Sequence, residues 1–254
     1  MISINLSGKN ALVTGGTGEL GRVLARNLAK CGANVALHYF KNQARALDLQ
    51  SELSSGGRKI VIVQANVTDS LSVTAMQKTL QQDFGPVDIL VINAVEQYPW
   101  KSILDQPVED FEGQFQACVM QSVLLCKAFV PAMIAKRWGR VIGINTECAM
   151  QYQKLQSAYV SGKRGMDGLL RVLAREVGEH RITVNQVAPG WTITEKDRVN
   201  RTEKQPDYEK SVPLKRRGED QEIAHAVAFL ASDLASFITG AYIPVCGGNV
   251  MPAI

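Results

Sequence analysis

The sequence predicts an α/β fold: a doubly wound, parallel β-sheet covered by helices on both faces. Three observations predict it. Short β-branched runs alternate with longer amphipathic stretches along almost the whole chain. Those runs are apolar on both faces, as strands sandwiched between helix layers must be. A glycine-rich turn joins the first run to the first helix, and such a turn is where this kind of sheet binds phosphate. Residues 1–254 are read as one domain, a length that builds a single large core.

The elements follow in order. Asn10 to Thr14 (NALVT) reads as a buried strand, and Leu20 to Cys31 as a helix with Gly32 at its C-terminal cap. Asn34 to Tyr39 is a second strand, and Gln43 to Leu53 a helix ended by Ser54-Ser55-Gly56-Gly57. Lys59 to Gln64 (KIVIVQ) is the third strand, followed by a helix from Ser70 to Phe84. Asp88 to Asn93 (DILVIN) is the fourth, followed by a long helix or two joined ones from Phe111 to Lys136. Arg140 to Asn145, a helix from Ser157 to Gly178, and Ile182 to Ala188 come next. A late helix, Glu222 to Leu230, and a last strand, Ala241 to Val245, complete the pattern. Crossovers between parallel strands are right-handed, so ligands are expected at the carboxyl ends of the strands.

Composition excludes several classes. Hydrophobic residues make up 46% and charged residues 20%, too apolar for a disordered chain. A net charge of +4, spread without a basic block, gives no reason to expect nucleic acid. No apolar run is read as a membrane span, and Met1 to Lys9 lack the pattern of a signal peptide. Cys31, Cys118, Cys126, Cys148 and Cys246 are odd in number, widely spaced and without a C-x-x-C, so reduced thiols in a cytoplasmic protein are expected, and no metal site.

Two motifs carry chemistry. Thr14-Gly15-Gly16-Thr17-Gly18-Glu19-Leu20-Gly21 follows the first strand, where backbone N–H groups and a helix N-terminus can face a pyrophosphate. Tyr159 and Lys163 stand at i and i+4 of a predicted helix, on one face and one turn apart. A phenol near pKa 10 is a poor acid at neutral pH unless a neighbouring ammonium lowers it. That pairing suits general acid catalysis.

With these motifs the chain resembles the short-chain dehydrogenase/reductase family, and its order from turn to C-terminal Val245-Cys246-Gly247-Gly248 follows the family throughout. The resemblance implies a Rossmann-type nicotinamide-dinucleotide site. Thr14, Gly15 and Gly21 match the family turn T-G-x-x-x-G-x-G; Glu19 stands where its middle glycine belongs, and Gly18 sits one place earlier. Cofactor contacts are expected from Gly15, Thr17, Gly18, Glu19, Leu20 and Gly21, from Tyr39 and Lys41 after the second strand, and from Asn66 and Val67 after the third. Asn93 and Ala94 after the fourth, Tyr159, Lys163, and Pro189, Gly190 and Thr192 after the sixth complete the expected set. No acid closes the second strand, while Lys41 and Arg45 follow it; cations favour a 2′-phosphate, so NADP is expected ahead of NAD.

Carried over residue by residue, the family's mechanism makes Tyr159 the general acid toward a carbonyl oxygen. Lys163 would lower its pKa and bind ribose. Thr146, thirteen residues upstream of Tyr159, would replace the usual Ser. Cys118 stands at the position of the family's Asn, where a thiol makes a weaker proton relay. The substrate loops are expected at Glu96 to Trp100, Glu147 to Tyr152 and Trp191 to Pro213, the last a mobile, charged lid, with Tyr98, Tyr152 and Trp191 as pocket candidates.

The branch most resembled is that of 3-oxoacyl-(acyl-carrier-protein) reductases, through Leu173-Ala174-Arg175-Glu176 and Ile182-Thr183-Val184-Asn185. It implies an oxidoreductase moving hydride between a nicotinamide cofactor and a carbonyl or alcohol substrate, such as a 3-oxoacyl thioester. It also suggests Lys136, Arg137 and Arg181 as a face for acidic acyl carrier protein. A homotetramer or homodimer is implied, with Met120, Val123, Leu124, Ala128, Leu169, Leu170 and Leu173 as the apolar faces. The alternative is a catalytically weakened nucleotide-binding or scaffold protein, a reading that Glu19 and Cys118 favour.

Overall fold

The computed structural model describes residues 3–54 and 56–251; Ser55, in the break expected after the second helix, lies outside them. Seven strands form one parallel sheet in the order β3-β2-β1-β4-β5-β6-β7. They are β1 (Asn10–Val13), β2 (Asn34–Tyr39), β3 (Ile60–Gln64), β4 (Ile89–Ile92), β5 (Gly139–Ile144), β6 (Ile182–Pro189) and β7 (Tyr242–Val245). The chain winds outward from β1 to β3, then returns to the other side of β1 as β4. The crevice between the carboxyl ends of β1 and β4 is therefore the topological switch point, the place where such sheets bind ligands.

Alternation along the strands splits the core into two layers. Leu12, Ala36, Leu90, Ile92, Val141 and Val184 face α3 (Ser70–Asp83), α5 (Gln121–Lys136) and α7 (Ser157–Val177). Ala11, Val13, Leu37, Val91, Ile142 and Val187 face α1 (Glu19–Lys30), α2 (Gln43–Ser54) and α10 (Asp220–Ala231). The side-chain period of two in a strand produces this division. Asn27 of α1 donates to the Ala224 carbonyl of α10 at 2.8 Å, which fixes the second layer.

Gly143 in β5 sets the depth of α7. A Cβ there would lie 2.5 Å from Met166 Cε and 2.6 Å from Leu170 Cδ1, so any larger residue would have to push aside the ends of these two α7 side chains.

Three expectations are corrected. The stretch read as one long helix or two joined ones is α4 (Val108–Gln114), a π-helical segment (Phe115–Met120) and α5. Within it the Ser122 hydroxyl donates to the Cys118 carbonyl at 2.7 Å, and the Gln121 amide donates to the Ala117 carbonyl, so side chains satisfy backbone acceptors that the wider turn leaves free. This same stretch, Val108–Lys136, is by length and composition apolar enough to cross a membrane, against the sequence expectation; in the fold Leu125, Phe129, Val130 and Met133 bury it against the sheet. Leu170, expected on a subunit-facing surface, is fully buried in this chain's own core, and Leu124, Ala128 and Leu173 pack against that core.

The segment expected as a mobile lid holds α8 (Glu195–Asn200) and α9 (Pro206–Ser211), while α6 (Cys148–Gln151) follows β5. Thr194 and Asp197 form a capping box at the start of α8. Two lid charges, Arg198 and Asp197, are tied to residues just beyond the lid. Arg198 pairs with Glu219 at 2.5 Å and with Asp220 at 2.9 Å, and the buried Arg217 reaches Asp197 at 3.3 Å and the Thr192 carbonyl at 2.9 Å.

Candidate active site

The glycine-rich turn is held from three sides. The Gly15 N–H donates to His38 Nδ1 at 3.0 Å, and Nε2 of the same ring lies 3.0 Å from the Ala65 carbonyl. His38 is 2% exposed, and burial lowers its pKa to about 4, so the ring is neutral, with Nδ1 accepting and Nε2–H donating. The Asn93 amide donates to the Thr14 carbonyl at 2.9 Å and to the Gly15 carbonyl at 3.3 Å. The Thr14 hydroxyl accepts the N–H groups of Asn93 (2.9 Å) and Ala94 (3.1 Å). Gly15 has φ 63°, and a Cβ on Gly21 would overlap the Gly15 carbonyl.

The turn therefore presses α1 onto β1 and β4. Gly18 caps α1 in an extended conformation with no side-chain hydrogen bond. The first-turn N–H groups thus lack a side-chain cap, which is the donor set a dinucleotide diphosphate needs.

Several residues expected to touch the cofactor are otherwise engaged. The side-chain amide of Asn93 is spent on the turn, because the carbonyls of Thr14 and Gly15 lie within its reach. Asn66 Oδ1 accepts from the Thr68 N–H at 3.1 Å and the Thr68 hydroxyl at 2.8 Å. Tyr39 and Val67 are packed into the core. The Thr192 hydroxyl donates to the Gly190 carbonyl at 2.9 Å, and Gly190 N–H donates to Val245 at 3.0 Å. Lys41 is exposed, with its ammonium 5.2 Å above the Phe40 ring. Glu19 has partners outside the glycines: it pairs with Arg22 at 2.9 Å and accepts the Lys196 N–H of α8 at 3.0 Å.

Thr146, Tyr159, Lys163 and Cys118 come together at the end of β5, along α7 and on the π-helical segment packed against α7. A buried polar network places them. Asn145 donates to the Lys163 carbonyl at 3.0 Å and to Gln186 Oε1 at 2.7 Å, and its Oδ1 accepts the Thr146 N–H at 2.9 Å. The Tyr242 hydroxyl of β7 donates to the Thr146 carbonyl. Strand end and helix are thus tied by groups too deeply buried to be left unpaired. The Thr146 side chain lies close enough to the Tyr159 phenol to draw its pKa down against burial, and the Thr146 hydroxyl accepts the Cys148 N–H at 3.2 Å. Cys118 packs on α7 beside Lys163: a Cβ on Gly162 would lie 3.2 Å from its sulfur.

Lys163 departs from expectation. Its ammonium donates to the Ile144 carbonyl at 2.7 Å and lies 5.9 Å from the centre of the Tyr159 ring. Burial pushes the Tyr159 phenol well above its ordinary value, against a lowering pull from the Thr146 side chain. Burial also lowers the pKa of Lys163 itself. Desolvation outweighs the pairwise attraction on which the sequence argument rested. Burial raises the Cys118 thiol, against the pull of Lys163, so sulfur stays protonated and a weak donor, 3.9 Å from Gln114 Oε1.

The loop after β4 packs on Tyr159 in a way the sequence did not reveal. The Tyr98 hydroxyl accepts the Tyr159 N–H at 2.6 Å, and the Trp100 ring stacks on the Tyr159 ring at 6.2 Å and 26°. Three glutamines fasten this loop: Gln106 donates to the Pro99 carbonyl at 3.1 Å, Gln114 to Glu96 at 2.9 Å and Gln121 to Ala94 at 2.7 Å.

Glu147, next to Thr146, is 3% exposed. It accepts from the Tyr208 hydroxyl at 2.9 Å and the Asn249 amide at 3.1 Å, joining the β5 loop, the lid and the segment after β7. Burial raises its pKa, while these bonds and the Trp191 N–H hold it down. Of the pocket candidates, Trp191 meets Tyr208 edge-on at 5.6 Å, and Tyr152 is exposed, its ring 5.5 Å from the Arg164 guanidinium. The basic trio lies at the opposite end of the sheet: Lys136 pairs with the buried Asp88, and Arg137 and Arg181 precede β5 and β6 in left-handed conformations, φ 51° and 61°.

Known proteins resemble this chain in sequence and in fold. A family model described as enoyl-(acyl carrier protein) reductase matches residues 17–249. The 3-oxoacyl-(acyl-carrier-protein) reductase FabG of Escherichia coli is 36% identical over 249 residues, 98% of this chain and 100% of that protein. The protein of that name from Staphylococcus epidermidis is 34% identical over 253 residues, 96% of this chain and 99% of the other. A crystal structure of a gluconate 5-dehydrogenase from Burkholderia cenocepacia, in complex with NADP and tartrate, matches with a TM-score of 0.89 at 25% identity over 97% of this chain and 96% of that one. The chain belongs to the short-chain dehydrogenase/reductase family of oxidoreductases.

Proposed function

We propose that this chain is an NADPH-preferring reductase of a carbonyl group, with a 3-oxoacyl thioester as its leading substrate class. The observation that carries the reading is the meeting of Thr146, Tyr159 and Lys163 at the carboxyl end of β5, on the same edge of the parallel sheet as the uncapped first turn of α1. A bound nicotinamide dinucleotide supplies the hydride that reaches the carbonyl carbon. The chain supplies the rest. Thr146 holds the carbonyl oxygen, and Tyr159 donates its proton there as the C=O π bond gives way to new C–H and O–H bonds. A neutral phenol at physiological pH, kept so by burial, is in the right form to donate. Lys163, tied to the Ile144 carbonyl, stands as the cation that steadies the phenolate left behind, and Cys118 lines the path beside it.

Exposed Lys41 and Arg45, with no acid at the end of β2, support NADPH over NADH. The reductases resembled over the full length support the thioester and acyl carrier protein as its bearer. The carrier's suggested basic face lies at the amino ends of the strands, so it would have to engage a site supplied by a second copy. Met120, Val123, Leu169 and Val172, left partly or largely exposed on the π-helical segment, α5 and α7, suit a dimer or tetramer. Five free thiols fit a reducing, cytoplasmic setting.

The test is NADPH oxidation with a panel of 3-oxoacyl thioesters and polyol-derived ketones. Turnover that Tyr159→Phe reduces about a thousandfold or more supports the reading, general acid catalysis alone being worth about 10²–10⁴-fold. Full activity in Tyr159→Phe would sink it.

A further inference from the structure

We propose that Glu19 is the residue that sets dinucleotide affinity in this chain, by strapping the lid helix α8 to the cofactor turn; the inference rests on the cofactor reading above. Glu19 is the first residue of α1, immediately after the glycine that caps it. One carboxylate oxygen accepts the Lys196 N–H of α8 at 3.0 Å, across 177 residues of chain. The other pairs with Arg22 at 2.9 Å and reaches Arg45 at 3.9 Å. Arg22 also pairs with Glu195, the first residue of α8, at 3.1 Å. Two contacts, linked through Arg22, thus bridge the first turns of α1 and α8, and α1 begins where the glycine-rich turn ends.

The chemistry of the bridge bears on what enters beneath it. A diphosphate held by the first-turn N–H groups of α1 would sit beside a fixed carboxylate, and like charges repel. Arg45, a cation placed for a 2′-phosphate, is meanwhile drawn to Glu19. The carboxylate therefore acts as an internal counter-anion: it satisfies the arginines and holds α8 down while no dinucleotide is bound, and it must yield when one arrives. NADPH, with one more phosphate than NADH, feels both effects, loss of Arg45 and repulsion by Glu19.

The test compares the wild-type chain with Glu19→Gln and Glu19→Ala. Gln keeps an oxygen for the Lys196 N–H and removes the charge; Ala removes both. Dissociation constants for NADPH and NADH are read by calorimetric titration, and strap opening by the rate of tryptic cleavage at Lys196, Arg198 and Arg201 without dinucleotide. The expected result is about fivefold or more tighter NADPH binding by both variants, a smaller gain for NADH, and faster cleavage in Glu19→Ala than in Glu19→Gln. The gain should shrink at high salt. NADPH binding equal to or weaker than wild type in both variants overturns the proposal. If no form binds either dinucleotide, the cofactor reading fails and the inference with it, while the cleavage rates still report whether Glu19 holds α8.

Discussion

Lowering the pH from 7 to 4 should loosen the glycine-rich turn through one residue, His38. Its ring is neutral and doubly bonded, between the Gly15 N–H and the Ala65 carbonyl, and its pKa is lowered to about 4 from an ordinary 6.5. A histidine depressed in the folded state contributes its full stability above pH 6.5. That stability is lost as pH falls, because the unfolded chain takes up a proton the folded one refuses. The gap of about 2.5 pH units corresponds to about 3 kcal/mol at full effect, and to about 2 kcal/mol between pH 7 and pH 5.

Urea unfolding at pH 7, 6 and 5 of the wild type and of His38→Gln measures it. Carboxylates titrate alike in both, so the difference in pH dependence belongs to His38. With only three histidines in the chain, proton NMR can follow the ring directly. Parallel loss of stability in the two proteins, or a folded-state titration near 6.5, would refute the argument. Protonation would also remove the acceptor for the Gly15 N–H, so dinucleotide affinity should fall over the same range.

The other predictions concern packing around the site. Gly21→Ala forces a methyl into the Gly15 carbonyl, with no flexible side chain to give way, and should cost about 3 kcal/mol of stability, read as a lowered urea midpoint with an unchanged slope. Trp100→Ala removes the ring stacked on Tyr159; it should lower kcat by about fivefold, an aromatic pair being worth about 1 kcal/mol, with little change in KM and recovery in Trp100→Phe. An equal loss in Trp100→Phe would show that stacking is not what the indole provides.

Much of the architecture was legible in the sequence because a parallel sheet writes itself as periodicity. Asn34 to Tyr39 is a strand over the bounds read from its apolar run, since a strand buried on both faces can hold little else. The glycine turn was legible for the same local reason: only residues without a Cβ fit between α1 and β4. The capping box of Thr194 and Asp197 was equally local, yet the surrounding charge made the segment read as a mobile lid, with no helix assigned to it. In the long apolar stretch, composition disclosed a helix but not its π-helical segment, because a widened turn depends on where Gln121 and Ser122 find acceptors.

What the sequence by itself determined is the alternation of elements, the turn, and the spacing that puts Tyr159 and Lys163 one helical turn apart. What only the tertiary structure decided is where the charges and polar groups go. Glu19 meets Lys196, Glu147 meets Tyr208 and Asn249, and His38 meets Gly15 and Ala65 across long stretches of chain. Burial reversed the expected direction for Tyr159, and the Ile144 carbonyl took the ammonium of Lys163. The physical reason is common to all of these. Backbone periodicity is a local property that neighbours in sequence impose, whereas desolvation and hydrogen-bond partnership depend on which distant segments the fold brings into contact.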